Sequence, residues 1–380
     1  MDAPRRSVFE RYPRLTLLLV TGAALLLLDL GFTRAYAFFR PGFYREQSAF
    51  RVSHELYHHG FKPRVSVDNE YWGPLASSYR TNSLGFRDRA VREIPLEATG
   101  GRRRLVFIGD SFTEGIGVPY EKTFVGLVDD ALAPRGIEVL NAGVASYTPI
   151  LDYRRVKSLL EDSGLRFDDL VVFVDVGDIL DETTYAFDDR ERVVFKQHRW
   201  VAENRANWEL GKPAWLASMG LSSFLRKNTL VASTMYEATL TALSRGPRRA
   251  AAWTTDAPLF EAYGRAGLEK ARHHMDLLAD LLAARGIRLT VGVYPWPDQI
   301  LMRDHPSRQE TEWREWSARH GAGFIDCFPT FMGAGDPKDV VRREFIGGDI
   351  HWNEAGHRRV ADAVLAYFEA DAARLPRPSK

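Results

Sequence analysis

From Arg104 onward the chain alternates short apolar runs with amphipathic stretches, and that rhythm predicts most of the fold. Candidate strands are Arg104–Ile108, Ile137–Asn141, Leu170–Asp175, Arg288–Tyr294 and Gly323–Cys327. Each is rich in Val, Ile, Leu or Phe, as suits a sheet buried on both faces. Helical stretches fall between them near Glu121–Ala133, Ile150–Asp162, Leu268–Arg285 and Ser307–His320, with a last one over Asn353–Ala370. Leu277, Leu278, Leu281 and Leu282 form an apolar stripe that Gly286 ends. Strands alternating with helices predict an α/β protein of three layers, α/β/α, around a parallel sheet. In such folds a site gathers at the carboxyl ends of the strands.

Before this rhythm begins, a different pattern appears. Leu15–Leu28 is apolar apart from two threonines, Asp29 interrupts it, and Leu30-Gly31-Phe32 extends it to the minimum length of a membrane-spanning helix. Arg5, Arg6, Arg11 and Arg14 favour a cytoplasmic N-terminus, although Arg34, Arg40 and Arg45 flank the other side. Two readings stay open, an uncleaved anchor and a signal peptide cleaved after Ala35-Tyr36-Ala37, and both export the remainder. The expected organisation is therefore a tail and single transmembrane helix over 1–37, a lead-in over 38–100 and a main domain over 101–375. The anchor reading places the protein in the inner (cytoplasmic) membrane with its main domain on the periplasmic side. The lead-in, with Tyr71-Trp72-Gly73-Pro74 and Asn82-Ser83-Leu84-Gly85, reads as irregular and partly β. Residues 186–262 break the strand–helix rhythm and carry Trp200, Trp208, Trp215 and Trp253. They read as an inserted cap over a cleft, or as a scaffold insertion covering one face of the sheet.

Composition narrows the function classes. The 380 residues carry a net charge of +1 without a dense basic stripe, which gives no footprint for nucleic acid. The one cysteine, Cys327, excludes an internal disulfide framework and a cysteine-based zinc site.

The candidate chemistry lies at two places. In Arg104–Gly117, RLVFIGDSFTEGIG, an apolar strand runs into Gly109-Asp110-Ser111 and then a helix start. That puts the Ser111 hydroxyl at a sheet edge, beside free backbone N–H groups and the positive end of a helix dipole. A nucleophilic serine needs donors already in place for the developing oxyanion. The Ser111 amide is one, and Gly143, in Asn141-Ala142-Gly143-Val144 beyond the second strand, is the natural second. Near the C-terminus Asp349-Ile350-His351-Trp352 follows a Gly-Gly turn, with Asn353 as a helix cap. His351 suits a general base towards Ser111, and Asp349 the group that holds its tautomer. His357 reads as structural. Candidate substrate contacts are Trp296, whose flat face could stack on a sugar ring or equally pack as a loop aromatic, Asp178 and Trp352.

These segments resemble the SGNH/GDSL hydrolase superfamily over about 104–370, the insertion aside. Gly109-Asp110-Ser111 is similar to its first block, Asn141-Ala142-Gly143 to its second, and Asp349/His351 to its last. The resemblance implies a flavodoxin-like α/β/α sheet, a Ser111–His351–Asp349 triad, ester chemistry and no cofactor or metal. Two departures stand out. The acid lies two residues before the histidine instead of three, a form similar to the alginate-type polysaccharide O-acetyltransferase and acetylesterase branch. Asp175-Val176-Gly177-Asp178 replaces the third block, so no asparagine is there to donate to the oxyanion, and its acidic residues read as a solvated turn. The implied function is an exported, membrane-anchored esterase acting on O-acyl, chiefly O-acetyl, esters of an envelope or secreted polysaccharide. The same residues serve an O-acetyltransferase, and a non-catalytic carbohydrate-binding component of a polysaccharide-export assembly is the alternative from another class.

A competing motif, His54-Glu55-Leu56-Tyr57-His58, matches H-E-x-x-H. It binds zinc only on a helix, where both histidines face one metal. Gly60 and Pro63 follow at once, so it reads as a chance match.

Overall fold

A computed structural model describes residues 11–39, 50–72, 75–195, 228–232, 235 and 249–370. The chain divides into two compact units, 1–45 with 207–245, and 46–206 with 246–380.

The first unit is built on helix α1 (Pro13–Phe39). Its stretch Pro13–Tyr36, 24 residues with mean hydropathy 2.2, is long and apolar enough to cross a membrane. At 1.5 Å per residue it spans about 36 Å, against a hydrocarbon core of about 30 Å. Most of its side chains are exposed, whereas Asp29 and Thr33 are buried. The Asp29 carboxylate accepts N–H bonds from Leu230, Val231 and Ala232 and an O–H bond from Thr33. The polar interruption in the apolar run is thus satisfied by backbone from the insertion. The rest of the insertion's middle, including Trp200, Trp208 and Trp215, lies outside the described residues.

The second unit begins with the lead-in, which is more regular than the sequence suggests. Strands β1 (Arg51–His54) and β2 (His58–Phe61) form one antiparallel hairpin, and β3 (Ser66–Trp72) and β4 (Leu75–Thr81) another. His54 and His58 are cross-strand partners in the first hairpin. The H-E-x-x-H match therefore sits on strands and a turn, without the helical face that a zinc site needs. Strand β5 (Arg87–Asp88) joins the second hairpin to the main sheet.

The main domain follows the predicted alternation closely. After β6 (Arg103–Ile108) come the four-residue helix α2 (Ser111–Glu114) and α3 (Phe124–Leu132). Then follow β7 (Ile137–Asn141), α4 (Pro149–Glu161) and β8 (Asp169–Phe173). A small hairpin of β9 (Tyr185–Phe187) and β10 (Val193–Phe195) opens the insertion, and α5 (Arg265–Ala283) follows it. The chain ends with β11 (Arg288–Val293), α6 (Arg308–His320), β12 (Gly323–Asp326) and α7 (Glu354–Ala370).

The eight-stranded sheet has the order β12-β11-β8-β6-β7-β5-β4-β3. Its first five strands are parallel, in flavodoxin-like order, and the lead-in adds three antiparallel strands at one edge. Helices α3 and α7 pack together, as do α4 and α5, which gives the three layers. Because these strands are parallel, the carboxyl ends of β6, β7 and β8 lie at one edge, and the loop before α7 reaches it through His351.

Three parts of this unit converge on Glu114, a fully buried carboxylate in the helix that begins with Ser111. Arg51 of β1 reaches it through two N–H···O contacts, of 3.0 and 2.5 Å, and Tyr79 of β4 donates to it at 3.2 Å. The Ala145 amide, in the loop after β7, donates at 2.7 Å. Breaking a buried pair strands the remaining charge, at a cost of about 3–5 kcal/mol. The Glu114→Ala protein is expected to unfold at a temperature lower by roughly 5 °C or more, by circular dichroism in detergent.

Candidate active site

The strand-to-helix turn at Ser111 exists because residue 109 is glycine. Gly109 has φ +147°, and a Cβ there would lie 2.7 Å from Thr113 Oγ1 and 2.8 Å from the Phe173 carbonyl. Asp110 caps the helix, its Oδ1 accepting the Phe112 N–H at 2.9 Å. Ser111 is then the first helical residue, where an amide has no acceptor within the helix.

His351 and Asp349 come to the same point from the loop before α7. His351 Nε2 lies 2.8 Å from Ser111 Oγ, and His351 Nδ1 lies 2.7 Å from Asp349 Oδ1. The three expected residues thus form one continuous chain of hydrogen bonds. The spacing of two residues works because Gly348, at φ +77°, turns the chain so that Asp349 folds back onto its neighbour's ring. Asp349 Oδ1 also accepts the Ile350 N–H at 2.6 Å. Burial pushes the Asp349 carboxyl pKa up, but the bonds from His351 and Trp72 outweigh it and hold the group well below the usual carboxylate range.

Gly143 is placed differently from the expectation. It does pack against α2, where a Cβ would meet the Glu114 amide at 2.6 Å. Its N–H, however, donates to Asn141 Oδ1 at 3.0 Å, a local turn that Asn141 makes with its own chain. The neighbouring amides of Ala142, Val144 and Ala145 are also taken, by the carbonyls of Phe107 and Gly109 and by Glu114. The Ser111 amide, as the first of its helix, has no acceptor within that helix.

The three candidate substrate contacts are all core residues, which corrects the sequence reading. Trp352 is fully buried and packs on Phe112, Tyr294 and Phe124 with ring centroids 4.6–6.1 Å apart. It braces the segment beneath His351 and offers no face to a ligand. Trp296, 6% exposed, donates its indole N–H to Asp175 Oδ2 at 2.7 Å. Asp178, 4% exposed, accepts the Asp175 amide at 2.8 Å, so the end of β8 is a buried turn instead of a solvated one. Sequence gives residue type but not depth, and aromatic residues at a sheet edge serve packing as readily as binding.

Asp110, Asp175 and Asp178 bring carboxyl oxygens within 4.8 Å of one another, all buried. Tyr294 Oη lies 3.0 Å from both Asp110 Oδ1 and Asp175 Oδ2. A phenol carries one proton, so it can donate to one of them only, and the other must bring its own. Burial raises all three carboxyl pKa values, those of Asp110 and Asp178 strongly. His357 is buried too, its Nδ1 accepting the Phe124 N–H at 3.2 Å. Burial and the charge of Arg87 lower its pKa to about 3, so it is a neutral structural residue.

Sequence reasoning missed Trp72. Its indole N–H donates to Asp349 Oδ2 at 2.6 Å, and its ring stands edge-on to His351 at 5.2 Å. Sequence places Trp72 only at the end of a strand-like run before Gly73-Pro74, and nothing local to it points to Asp349.

No family model matches the chain, and no curated protein matches it. Among solved structures it is similar to a member of the lipolytic protein G-D-S-L family from Veillonella parvula, at 14% identity and a TM-score of 0.39, covering 70% of this chain and 98% of that one. It is similar to a lipase/acylhydrolase from Enterococcus faecalis, at 14% and 0.39, covering 73% and 99%. An acetyl-xylooligosaccharide esterase from Geobacillus Stearmophilus gives 15% and 0.39, covering 73% and 98%. At these values the reading of activity rests on the geometry alone.

The buried carboxyl cluster makes a testable demand on stability. A carboxyl whose folded pKa is raised adds stability below its unfolded value, about 3.9, and loses it as pH rises through the folded value. Asp178→Asn removes that titration while keeping an acceptor for the Asp175 amide. The variant is expected to melt roughly 2 °C or more above the native protein at pH 8, and level with it near pH 4, by differential scanning calorimetry.

Proposed function

We propose that this chain is a serine esterase of the SGNH/GDSL type. The observation that carries the reading is the hydrogen-bonded sequence Ser111 Oγ, His351 Nε2, His351 Nδ1, Asp349 Oδ1, with contacts of 2.8 and 2.7 Å. Ser111 Oγ attacks the ester carbonyl carbon while His351 Nε2 takes its proton. Asp349 fixes the ring tautomer and stabilises the imidazolium. The tetrahedral intermediate collapses, the leaving alcohol takes the proton from His351, and an acyl ester remains on Ser111. Water, deprotonated by His351, then releases the acid and restores the serine.

The oxyanion is met by the Ser111 amide at the start of α2. Gly143 joins it only by giving up Asn141, and the third-block donor has no replacement at Asp175 or Asp178. One missing donor costs about 10²–10³ in rate, so a slow hydrolase is expected. Transfer of the acyl group to a sugar hydroxyl would use the same residues, with the acceptor in place of water. The intact serine–histidine contact weighs against a purely binding role.

The natural substrate we propose is an O-acyl, chiefly O-acetyl, ester of an envelope or secreted polysaccharide. Support comes from the Asp-x-His-Trp resemblance and from α1 with its basic N-terminal flank, which suits an inner-membrane anchor and a periplasmic main domain. With Trp296 and Trp352 buried, Trp72 is, among the described residues, the aromatic side chain at the triad left to meet a sugar ring. A polysaccharide-export assembly is the partner this location suits, and no cofactor is needed.

The test is p-nitrophenyl acetate hydrolysis by the full chain in detergent, with O-acetylated and unacetylated polysaccharides as competing substrate and acceptor. Ser111→Ala and His351→Ala are each expected to lower kcat by about 10⁴ or more, to background. Turnover unchanged in Ser111→Ala would overturn the proposal.

A further inference from the structure

We infer that Trp72 is a positioning residue of the active site, which through its indole N–H fixes the second carboxylate oxygen of Asp349. The inference rests on the serine-esterase reading for its consequence but on geometry for its content. A carboxylate oriented by one oxygen can still turn about its terminal torsion and exchange that oxygen for the other. Asp349's own turn supplies bonds to one side only. His351 Nδ1 at 2.7 Å, the Ile350 amide at 2.6 Å and the His351 amide at 3.3 Å all fall on Oδ1. Oδ2 takes the Trp72 indole N–H at 2.6 Å, from a residue 277 positions away.

Trp72 is well placed to act as a fixed donor. It ends β3 and pairs across the hairpin with Leu75, the first residue of β4. Gly117, at φ +83°, leaves room beside it. A Cβ there would lie 2.7 Å from Ile346 and within 3.5–3.6 Å of Trp72 and Leu75. Ile346 in turn donates its amide to the His351 carbonyl at 2.9 Å. The hairpin tip thus closes on the segment that carries the catalytic acid and base. The ring's edge-on contact with His351 adds a second restraint, at a centroid distance of 5.2 Å. Placing the acid two residues before the histidine leaves Oδ2 without a donor from its own turn, and the lead-in supplies one.

The same bond has an electrostatic consequence. An N–H donated to Asp349 draws charge from the carboxylate and weakens its support of the imidazolium. Removing the donor lets the carboxylate attract the imidazolium more strongly. The base then holds its proton to higher pH, although it is less well aimed.

The test is Trp72→Phe in the full chain in detergent, which keeps an aromatic ring and deletes the donor. Expected are a kcat for p-nitrophenyl acetate lower by about tenfold or more, and an acid limb of the kcat/KM profile displaced to higher pH. A purely structural loosening would lower the rate without moving that limb. Proton NMR of the His351 Nδ1–H, hydrogen-bonded to Asp349, gives a readout that needs no turnover, and its resonance is expected to move from its native position in the variant. Replacement of Trp72 by 3-benzothienylalanine, with sulfur in place of the N–H, repeats the test at constant packing should the phenylalanine variant not fold. A native protein without turnover refutes the esterase proposal and leaves the resonance to judge Trp72. A donor-deleted protein with native kcat, acid limb and resonance refutes the role of Trp72.

Discussion

The second unit depends on one buried carboxylate. Glu114 lies three residues beyond Ser111 and is held by Arg51, Tyr79 and the Ala145 amide. Through it the Ser111 helix, the loop after β7 and both lead-in hairpins share one fixed point. A four-residue helix has little stability of its own, since its nucleation cost is barely recovered over so few bonds. The serine is aimed because the helix behind it is tied down at its far end. The loop after β7 is fastened again by His59, whose Nε2 contacts the Ala145 carbonyl at 2.8 Å, and it contains Ser146 at φ +66°.

The edge that carries Ser111 is assembled from parts far apart in sequence, each fixed by different physics. Gly109 and Gly348 supply backbone angles that other residues reach only with strain. Trp352 and Tyr294 supply a packed aromatic floor. Tyr294 donates its one proton to either Asp110 or Asp175 and the other carboxyl brings its own, which lowers the charge the core must hold. The lead-in brings Trp72 to Asp349. It belongs to the site as well as to the sheet edge.

Much of this was legible in the sequence. The parallel strands are runs of Val, Ile, Leu and Phe, and such runs between turn residues have few other uses in a chain of this length. The serine, histidine and aspartate stand at the ends of those runs, with the glycines that their turns require. The lead-in was harder, because β1 to β4 are short and mix polar with apolar residues, as edge hairpins do. The donor bond of Trp72 could not be read at all, since a pairing across 277 residues leaves no local pattern. Depth was the other loss. Trp296, Trp352 and Asp178 have the chemistry of ligand contacts and the positions of core residues, and only the tertiary fold tells these apart. For Gly143 a signal was present, because asparagine two residues before a glycine commonly bonds to its amide.

Covalent capture tests the central claim most directly, namely that Ser111 is a nucleophile activated by His351. The full chain is treated with a fluorophosphonate and its peptides are sequenced by mass spectrometry, beside the His351→Ala protein. The account predicts a single phosphonylated site at Ser111, formed in the native protein and at least a hundredfold more slowly without His351. No adduct on a folded native protein, or an adduct on another residue, would contradict it.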